Sequence, residues 1–349
     1  MGLALKRGHG FSGRVVGVSR AETIEAALAM GVIDEGWGYD EMAQALAGAD
    51  LVFICTPIQR ILQQIEQVAE LVPDGAIVTD VGSTKRRIVT RAAECFRAGT
   101  YFVGGHPMAG SEKAGVTAAD PFLFQNAIYI LVPDAKVPRE RYDALIDLLR
   151  GVGARVLELA AEEHDEAVAS ISHLPQIMAT TLVEMVGKLN EEDDHFLPLA
   201  AGGFRDMTRI ASSPFAPVWQ DIYATNADQV RVMIDRYMAV LEDARARLDD
   251  GSLAEDFAYA NRVRGSIPRD AKGFIHALYE ILVVAEDKPG VLAEIATALE
   301  GEGININDIE VMKVREGEGG TLRLGFDSDE AAGRALVVLE GIGYGARRP

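Results

Sequence analysis

Between residues 14 and 135, short apolar runs bounded by turn residues alternate with longer segments whose apolar side chains return at helical spacing. Strands buried in a sheet and joined by crossover helices give this pattern. The runs predict strands over Arg14–Ser19, Asp50–Cys55, Ala76–Asp80, Tyr101–Gly104 and Ala127–Val132. The spaced segments predict helices over Ala21–Met30, Ile58–Leu71 and Lys85–Ala98, and Met1–Arg7 also reads as helix. The fold class is α/β, a doubly wound parallel sheet. From about Glu162 the pattern changes to long amphipathic stretches, His164–Leu189, Phe215–Asp249 and Leu253–Arg264, which predict an all-helical domain. Arg262–Gly273, rich in Arg, Gly and Pro, reads as a linker. Strand Leu278–Ala285, helix Gly290–Glu302, strands Ile304–Val314 and Thr321–Phe326, helix Glu330–Gly341 and a frayed last strand then form a ferredoxin-like βαββαβ module. The expected domains are residues 1–158, 159–264 and 277–349.

Doubly wound sheets that bind dinucleotides open with a strand, a GxGxxG turn and a helix whose amides hold the pyrophosphate. Here the glycines of GHGFSG (8–13) follow a helix and precede a strand, so that run is a connecting loop. The first strand and its Gly-rich loop are missing from the sequence as written. The expectation is a truncated start, with a chain that binds cofactor poorly or leans on a partner to cover an open sheet position.

Ligands of such sheets lie at the carboxyl ends of the strands. After the strand containing Val16–Val18 come Ser19 and Arg20, a neutral and a cationic side chain where an acidic one would bind a free ribose 2′-hydroxyl. That pair suits a 2′-phosphate, so NADP is favoured over NAD; the alternative is a solvated Arg20. Thr56–Pro57 and Asp80–Lys85 (DVGSTK) end two later strands; Gly82 lets backbone approach a ligand, and Ser83 is either a ligand-binding hydroxyl or a helix cap.

Three further stretches carry candidate chemistry. In VGGHPMAGSEKAG (103–115), His106 follows two glycines at a strand terminus and precedes a proline, which suits an exposed, oriented imidazole able to act as a base, or a structural one. In HDEAVASISHLPQ (164–176), Ser172 and His173 sit early in a long helix that Pro175 is expected to kink. In GFRDMTRIA (203–211), Arg205 and Arg209 are four apart on one helical face, either a solvated face or a carboxylate clamp.

Composition narrows the partners. Asp and Glu outnumber Lys and Arg by 53 to 34, a net charge of -19, which argues against a nucleic-acid backbone or an anionic membrane surface. The two cysteines, Cys55 and Cys95, form no CxxC pair, and no histidine or carboxylate cluster has metal-ligand spacing, so no disulfide framework and no metal site are expected. With no membrane-length apolar run and no signal peptide, a soluble, cytoplasmic protein is expected.

Taken together, DVGSTK, VGGHPMAGSEKAG, HDEAVASISHLPQ and GFRDMTRIASSPFAPVW (203–219) resemble the prephenate/arogenate dehydrogenase family of tyrosine biosynthesis over essentially the whole chain. The resemblance implies a Rossmann-like domain, a helical domain that forms a homodimer, and oxidative decarboxylation. Hydride leaves the hydroxyl-bearing ring carbon for NAD(P)+, the ring carboxylate departs as carbon dioxide, and the product is aromatic. By that likeness His106 takes the hydroxyl proton or a strong hydrogen bond from it, Ser83 orients the hydroxyl and the nicotinamide, Arg209 holds a substrate carboxylate, and Ser172 and His173 line the cleft. Some members carry a histidine where this chain has Gln176, facing the substrate side chain, so the choice of prephenate over arogenate rests on an amide that cannot become cationic.

The last module resembles the ACT domain, a sensor of amino acids. The likeness implies ligand contacts at Pro289, Gly290, Val291, Asn305 and Asn307, with tyrosine as the expected effector; the alternative is a purely structural dimerisation lobe. Two rival functions stand: another ACT-bearing dehydrogenase such as homoserine dehydrogenase, and a catalytically silent amino-acid-binding regulator.

Overall fold

The computed structural model describes residues 1–7, 11–110, 115–249, 251–267, 278–286, 288–315 and 319–348. Gly8–Gly10 of the expected connecting loop, Ser111–Ala114 of the histidine motif, Asp287 and most of the expected linker lie outside them. Two compact units divide the chain, Met1–Leu253 and Ala254–Pro349.

The first unit opens with α1 (Gly2–Arg7), β1 (Val16–Val18), α2 (Ala21–Ala29), β2 (Glu35–Trp37), α3 (Met42–Leu46), β3 (Leu51–Ile54), α4 (Ile58–Leu71), β4 (Ile77–Asp80), α5 (Arg86–Cys95), β5 (Tyr101–Pro107), β6 (Ile128–Val132), α6 (Arg139–Gly151) and β7 (Arg155–Glu158). Five strands form one sheet in the order β3-β4-β5-β6-β7, and β1 and β2 form a separate parallel pair. Among the described residues β1 pairs only with β2 and β3 only with β4, so each has one unpaired edge.

The sheet is doubly wound because β4 and β5 bury alternate side chains on both faces. On one face Val103 packs with Leu5, Tyr129, Leu131, Leu145 and Leu149. On the other, Val78 and Phe102 pack with Ile61, Ile65 and Ile88, and with Ile222 from the helical part of the unit. Ile61, Ile65 and Ile88 are fully buried, each contributing about 1.5–3 kcal/mol of transfer free energy.

The sheet is mixed rather than wholly parallel. β6 runs antiparallel to β5, while the β3/β4, β4/β5 and β6/β7 pairs are parallel. A parallel return needs a crossover helix, and the described part of 108–127 holds only a 3-10 turn, Val116–Ala118. β2 and β7 escape the sequence reading because they are three and four residues long and carry few apolar positions.

The unit continues through α7 (Ala161–Val168), a π turn (Ala169–His173), α8 (Leu174–Glu192), α9 (Gly202–Thr208), a 3-10 turn (Arg209–Ser212), a second π turn (Phe215–Trp219) and α10 (Gln220–Ala246). Pro175 has no N–H to give the preceding turn and its ring crowds the carbonyl four residues back, so the helix widens there instead of breaking. α10 bends at Asn226, whose φ of -131° and ψ of 21° are not helical.

In the second unit, α11 (Ala254–Ser266) runs two residues past the expected helix end at Arg264, into the expected linker. Then come β8 (Tyr279–Ala285), α12 (Val291–Gly301), β9 (Asp308–Arg315), β10 (Gly319–Phe326), α13 (Asp329–Gly341) and β11 (Gly345–Arg347). The antiparallel sheet has the order β11-β8-β10-β9. Ile281, Val283, Leu324 and Phe326 of its inner face pack on Ile295 and Leu299 of α12 and Leu339 of α13. Among the described residues, no helix is long and apolar enough to cross a membrane.

Candidate active site

The site is built at the carboxyl end of β5, on the residue before His106. The Asp80 carboxylate accepts the Gly105 N–H at 3.0 Å and the Gly82 N–H at 2.7 Å. Lys85 Nζ pairs with the same carboxylate and donates to the Gly105 carbonyl at 2.6 Å. Both polar groups of Gly105 are therefore gripped by one buried ion pair. A Cβ at Gly105 would lie 2.6 Å from the Asp80 carbonyl oxygen, so only glycine lets β5 come this close to β4. Asp80, expected to face a cofactor, is 0% exposed and has its carboxylate committed inside the protein. Burial lowers the pKa of Lys85, and Asp80 opposes that shift.

His106 is buried, not exposed as its position after two glycines suggested: β5 runs on through Pro107 instead of stopping at Gly104. Its Nδ1 lies 2.8 Å from His164 Nε2, with the two rings near perpendicular. On its far side, His164 Nδ1 is 2.8 Å from Asp165 Oδ1. That oxygen also accepts the Lys85 N–H at 2.6 Å, and Oδ2 accepts the Arg86 N–H at 3.0 Å and Nε–H at 3.3 Å. Asp165 thus caps the start of α5 from a distance, in the place where Ser83 was one expectation; no side chain at the helix start makes a cap hydrogen bond.

Burial, followed by His164, Lys85 and His173, pushes the His106 pKa well below its ordinary value. Burial raises the Asp165 pKa, but hydrogen bonds from His164 and from the Lys85 and Arg86 amides outweigh it, and the net shift is downward. His173 is brought down to about 4, chiefly by burial, with Asp165 opposing and His164 assisting. His106 and His173 are thereby neutral at pH 7, the state in which imidazole can accept a proton.

His173, Asn226 and Arg86 join this cluster, and Ser172, Gln176 and Arg209 lie on the elements that follow. His173 Nδ1 lies 3.4 Å from the Asn226 amide nitrogen and its ring meets Trp219 edge-on. Asn226 Nδ2 donates to the Asp165 carbonyl at 2.8 Å. Arg86 Nη2 donates to Asn226 Oδ1 at 3.2 Å and to Asp228 at 2.6 Å, joining α5, α7 and α10. Ser172 is half-buried in the π turn. Gln176 Nε2 donates to the Ile210 carbonyl at 3.1 Å, tying α8 to the turn that Arg209 begins, while Gln176 Oε1 is buried without a partner among the described residues. Arg209 is exposed. Arg205 lies within α9, which ends at Thr208, and Arg209 opens the 3-10 turn that follows.

At the neighbouring strand ends, Ser19 and Arg20 follow β1, Thr56 and Pro57 follow β3, and Gly82 and Ser83 follow β4. Arg20 and Pro57 are exposed and Ser19 and Ser83 half-buried, whereas the Thr56 hydroxyl donates to Gln64 Oε1 at 2.7 Å. Among the described residues no cluster of His, Cys, Asp and Glu could hold a metal ion.

Five residues of this site, Lys85, Arg86, His164, Asp165 and Asn226, had no role in the sequence reading. His164 and Asp165 stand inside a quoted motif, so the signal was present; the role was not, because the partners are 58 and 80 residues away.

In the second unit, Gly290 has a φ of 97° at the start of α12, Pro289 is exposed and Val291 is buried. Asn305 and Asn307 lie before β9, which begins at Asp308 and not at Ile304 as expected. The Asn307 N–H donates to the Gly325 carbonyl at 2.8 Å, and its Oδ1 is buried without a partner among the described residues.

Residues 1–158 match the family model described as prephenate dehydrogenase, nucleotide-binding domain; residues 160–260 match prephenate dehydrogenase, dimerization domain; and residues 279–338 match the ACT domain. A prephenate dehydrogenase of Bacillus subtilis is 38% identical over 347 residues, covering 97% of this chain and 91% of the relative. The crystal structure of Aquifex aeolicus prephenate dehydrogenase in complex with hydroxyphenyl propionate and NAD+ is similar with a TM-score of 0.67 at 30% identity, covering 75% of this chain and 91% of that one. Synechocystis arogenate dehydrogenase gives a TM-score of 0.65 at 29% identity, covering 76% and 93%.

Proposed function

The chain belongs to the prephenate dehydrogenase family, and on that premise we propose that it oxidatively decarboxylates prephenate to 4-hydroxyphenylpyruvate with NAD(P)+. The observation that carries this reading is a neutral, buried His106 at the end of a sheet strand, in one cluster with His164 and His173.

A nicotinamide dinucleotide fits the strand ends: Ser19, Arg20 and Ser83 offer polar groups to ribose and nicotinamide, Thr56 keeps its oxygen as an acceptor while its hydrogen goes to Gln64, and Gly82, whose N–H goes to Asp80, contributes close backbone approach. Pro57 would border it. Bound there, such a cofactor supplies the hydride acceptor. Arg20 supports NADP+ as the preferred form. His106 takes the proton of the substrate hydroxyl as its carbon becomes a carbonyl, Ser83 orients that hydroxyl, and Arg209 anchors a carboxylate. Ser172 and His173 bound the cleft. The ring carboxylate leaves as carbon dioxide, its bonding electrons aromatise the ring and the oxygen regains a proton as the phenol hydroxyl, so the net change is one hydride transferred and one CO2 lost, with no proton released.

A second reading, arogenate as substrate, is favoured by one feature: the unpartnered Gln176 Oε1 is an acceptor that an ammonium would satisfy. The enzyme works as a homodimer through its helical part, in the cytoplasm. Tyrosine binds the ACT domain through the backbone of Pro289–Val291 and the side chains of Asn305 and Asn307; the open Asn307 Oδ1 supports a ligand there.

Initial rates of nicotinamide reduction with prephenate and arogenate, each with NAD+ and NADP+, with and without tyrosine, test the proposal. The expected result is turnover of prephenate, faster with NADP+ and lowered by tyrosine. Tyrosine binding without turnover of either substrate would overturn it for a regulatory role.

A further inference from the structure

Asp165 determines more than the start of α5. An ionised carboxylate only accepts, and the two oxygens of Asp165 face four donors: His164 Nδ1, the Lys85 N–H, and the Arg86 N–H and Nε–H. His164 therefore carries its hydrogen on Nδ1. In a neutral ring, Nε2 is then a lone pair, and the group 2.8 Å from it, His106 Nδ1, must be the donor.

We propose that His164 and Asp165 are positioning residues that fix the tautomer of His106, keeping hydrogen on Nδ1 and leaving Nε2 bare to receive the substrate's hydroxyl proton. This rests on the reaction assigned above. When Nε2 gains that proton, no other bond changes. The resulting imidazolium keeps its Nδ1–H on His164, and the Asp165 charge steadies it through that ring. The groups that face His106 are Lys85 from the start of α5, His164 from α7 and His173 from the π turn; Asp80 reaches it only through the Gly105 backbone. All three side chains disfavour a positive His106 in the resting state, so the relay through His164 to Asp165 is the route by which the charge is tolerated during turnover.

The direct test needs no catalysis. In the full chain labelled with 15N-histidine, long-range proton–nitrogen correlation at pH 7 should show His106 as the Nδ1–H tautomer. Asp165→Asn should weaken or abolish that preference, because an amide has one acceptor oxygen for the four donors and cannot hold His164 Nδ1–H as the carboxylate does. Finding the Nε2–H tautomer, or a protonated ring, in the unmodified protein would overturn the proposal even if the enzyme proved inactive on both substrates. Kinetically, Asp165→Asn should lower kcat by roughly 10²–10⁴-fold with little change in KM. Since that variant also loosens the cap of α5, His164→Gln and His164→Leu form the second arm. Gln retains an acceptor for His106 Nδ1–H and should keep at least about tenfold more kcat than Leu. Equal rates for the two variants would mean that His164 only fills space.

Discussion

His106 and Arg209 are held in opposite ways. The imidazole is buried at the end of a seven-residue strand, gripped through Gly105 from behind and through His164 at its side. The guanidinium is exposed at the start of a four-residue 3-10 turn, joined to the rest by the Gln176 bond to the next residue's carbonyl. The difference matches what each group must do. A base has to stand in the right protonation state before substrate arrives, and rigidity supplies that in advance. A carboxylate clamp gains its order from the ligand, so its conformational freedom is lost on binding and subtracts from affinity.

The contrast breaks most visibly at the base. His106→Asn should lower kcat by roughly 10²–10⁴-fold while KM stays within a few-fold; steady-state kinetics that left kcat intact would erase the distinction. The buried side can also be sharpened by pH. His173 holds its folded pKa near 4 against an ordinary value near 6.5, so between those limits the unfolded chain binds a proton that the folded one refuses. Stability is then full above about pH 6.5 and falls as the pH drops toward 4, by on the order of 2–3 kcal/mol from this residue, with His106 adding in the same direction. Thermal melts from pH 7 to 4 should show the decline, and His173→Gln should flatten it. The smallest effect belongs to the exposed side: Arg209→Ala should raise KM roughly 10–100-fold, the worth of a charge-assisted hydrogen bond, with kcat changed less and the melting temperature unmoved.

Much of this was legible from residue order. The helix over Ile58–Leu71 was read to the residue, because its stripe Ile58, Ile61, Ile65, Val68 is unambiguous, and the whole βαββαβ order of the last module followed from alternation and turns. His106, His173 and Arg209 stood out through their motifs. Two things were not readable. The direction of β6 depends on what the described part of the 108–127 connection lacks, not on the strand's own pattern. The burial of His106 and its link to Asp165 depend on α7 meeting the start of α5, a contact between residues 80 apart. Asp80 was misread for a related reason: an acid at a strand end looks like a ligand until the lysine five residues later turns back to it.

Arg86 has a consequence of its own. One planar side chain bolts the carboxylate of Asp165 to Asn226, at the bend of α10, and to Asp228 just beyond it. If α10 pivots at that bend, the guanidinium must either follow and drag the carboxylate with it or let one of its contacts go. The long helix and the imidazole pair thus share one guanidinium, and movement at the bend of α10 is felt at the Asp165 carboxylate for as long as those contacts hold.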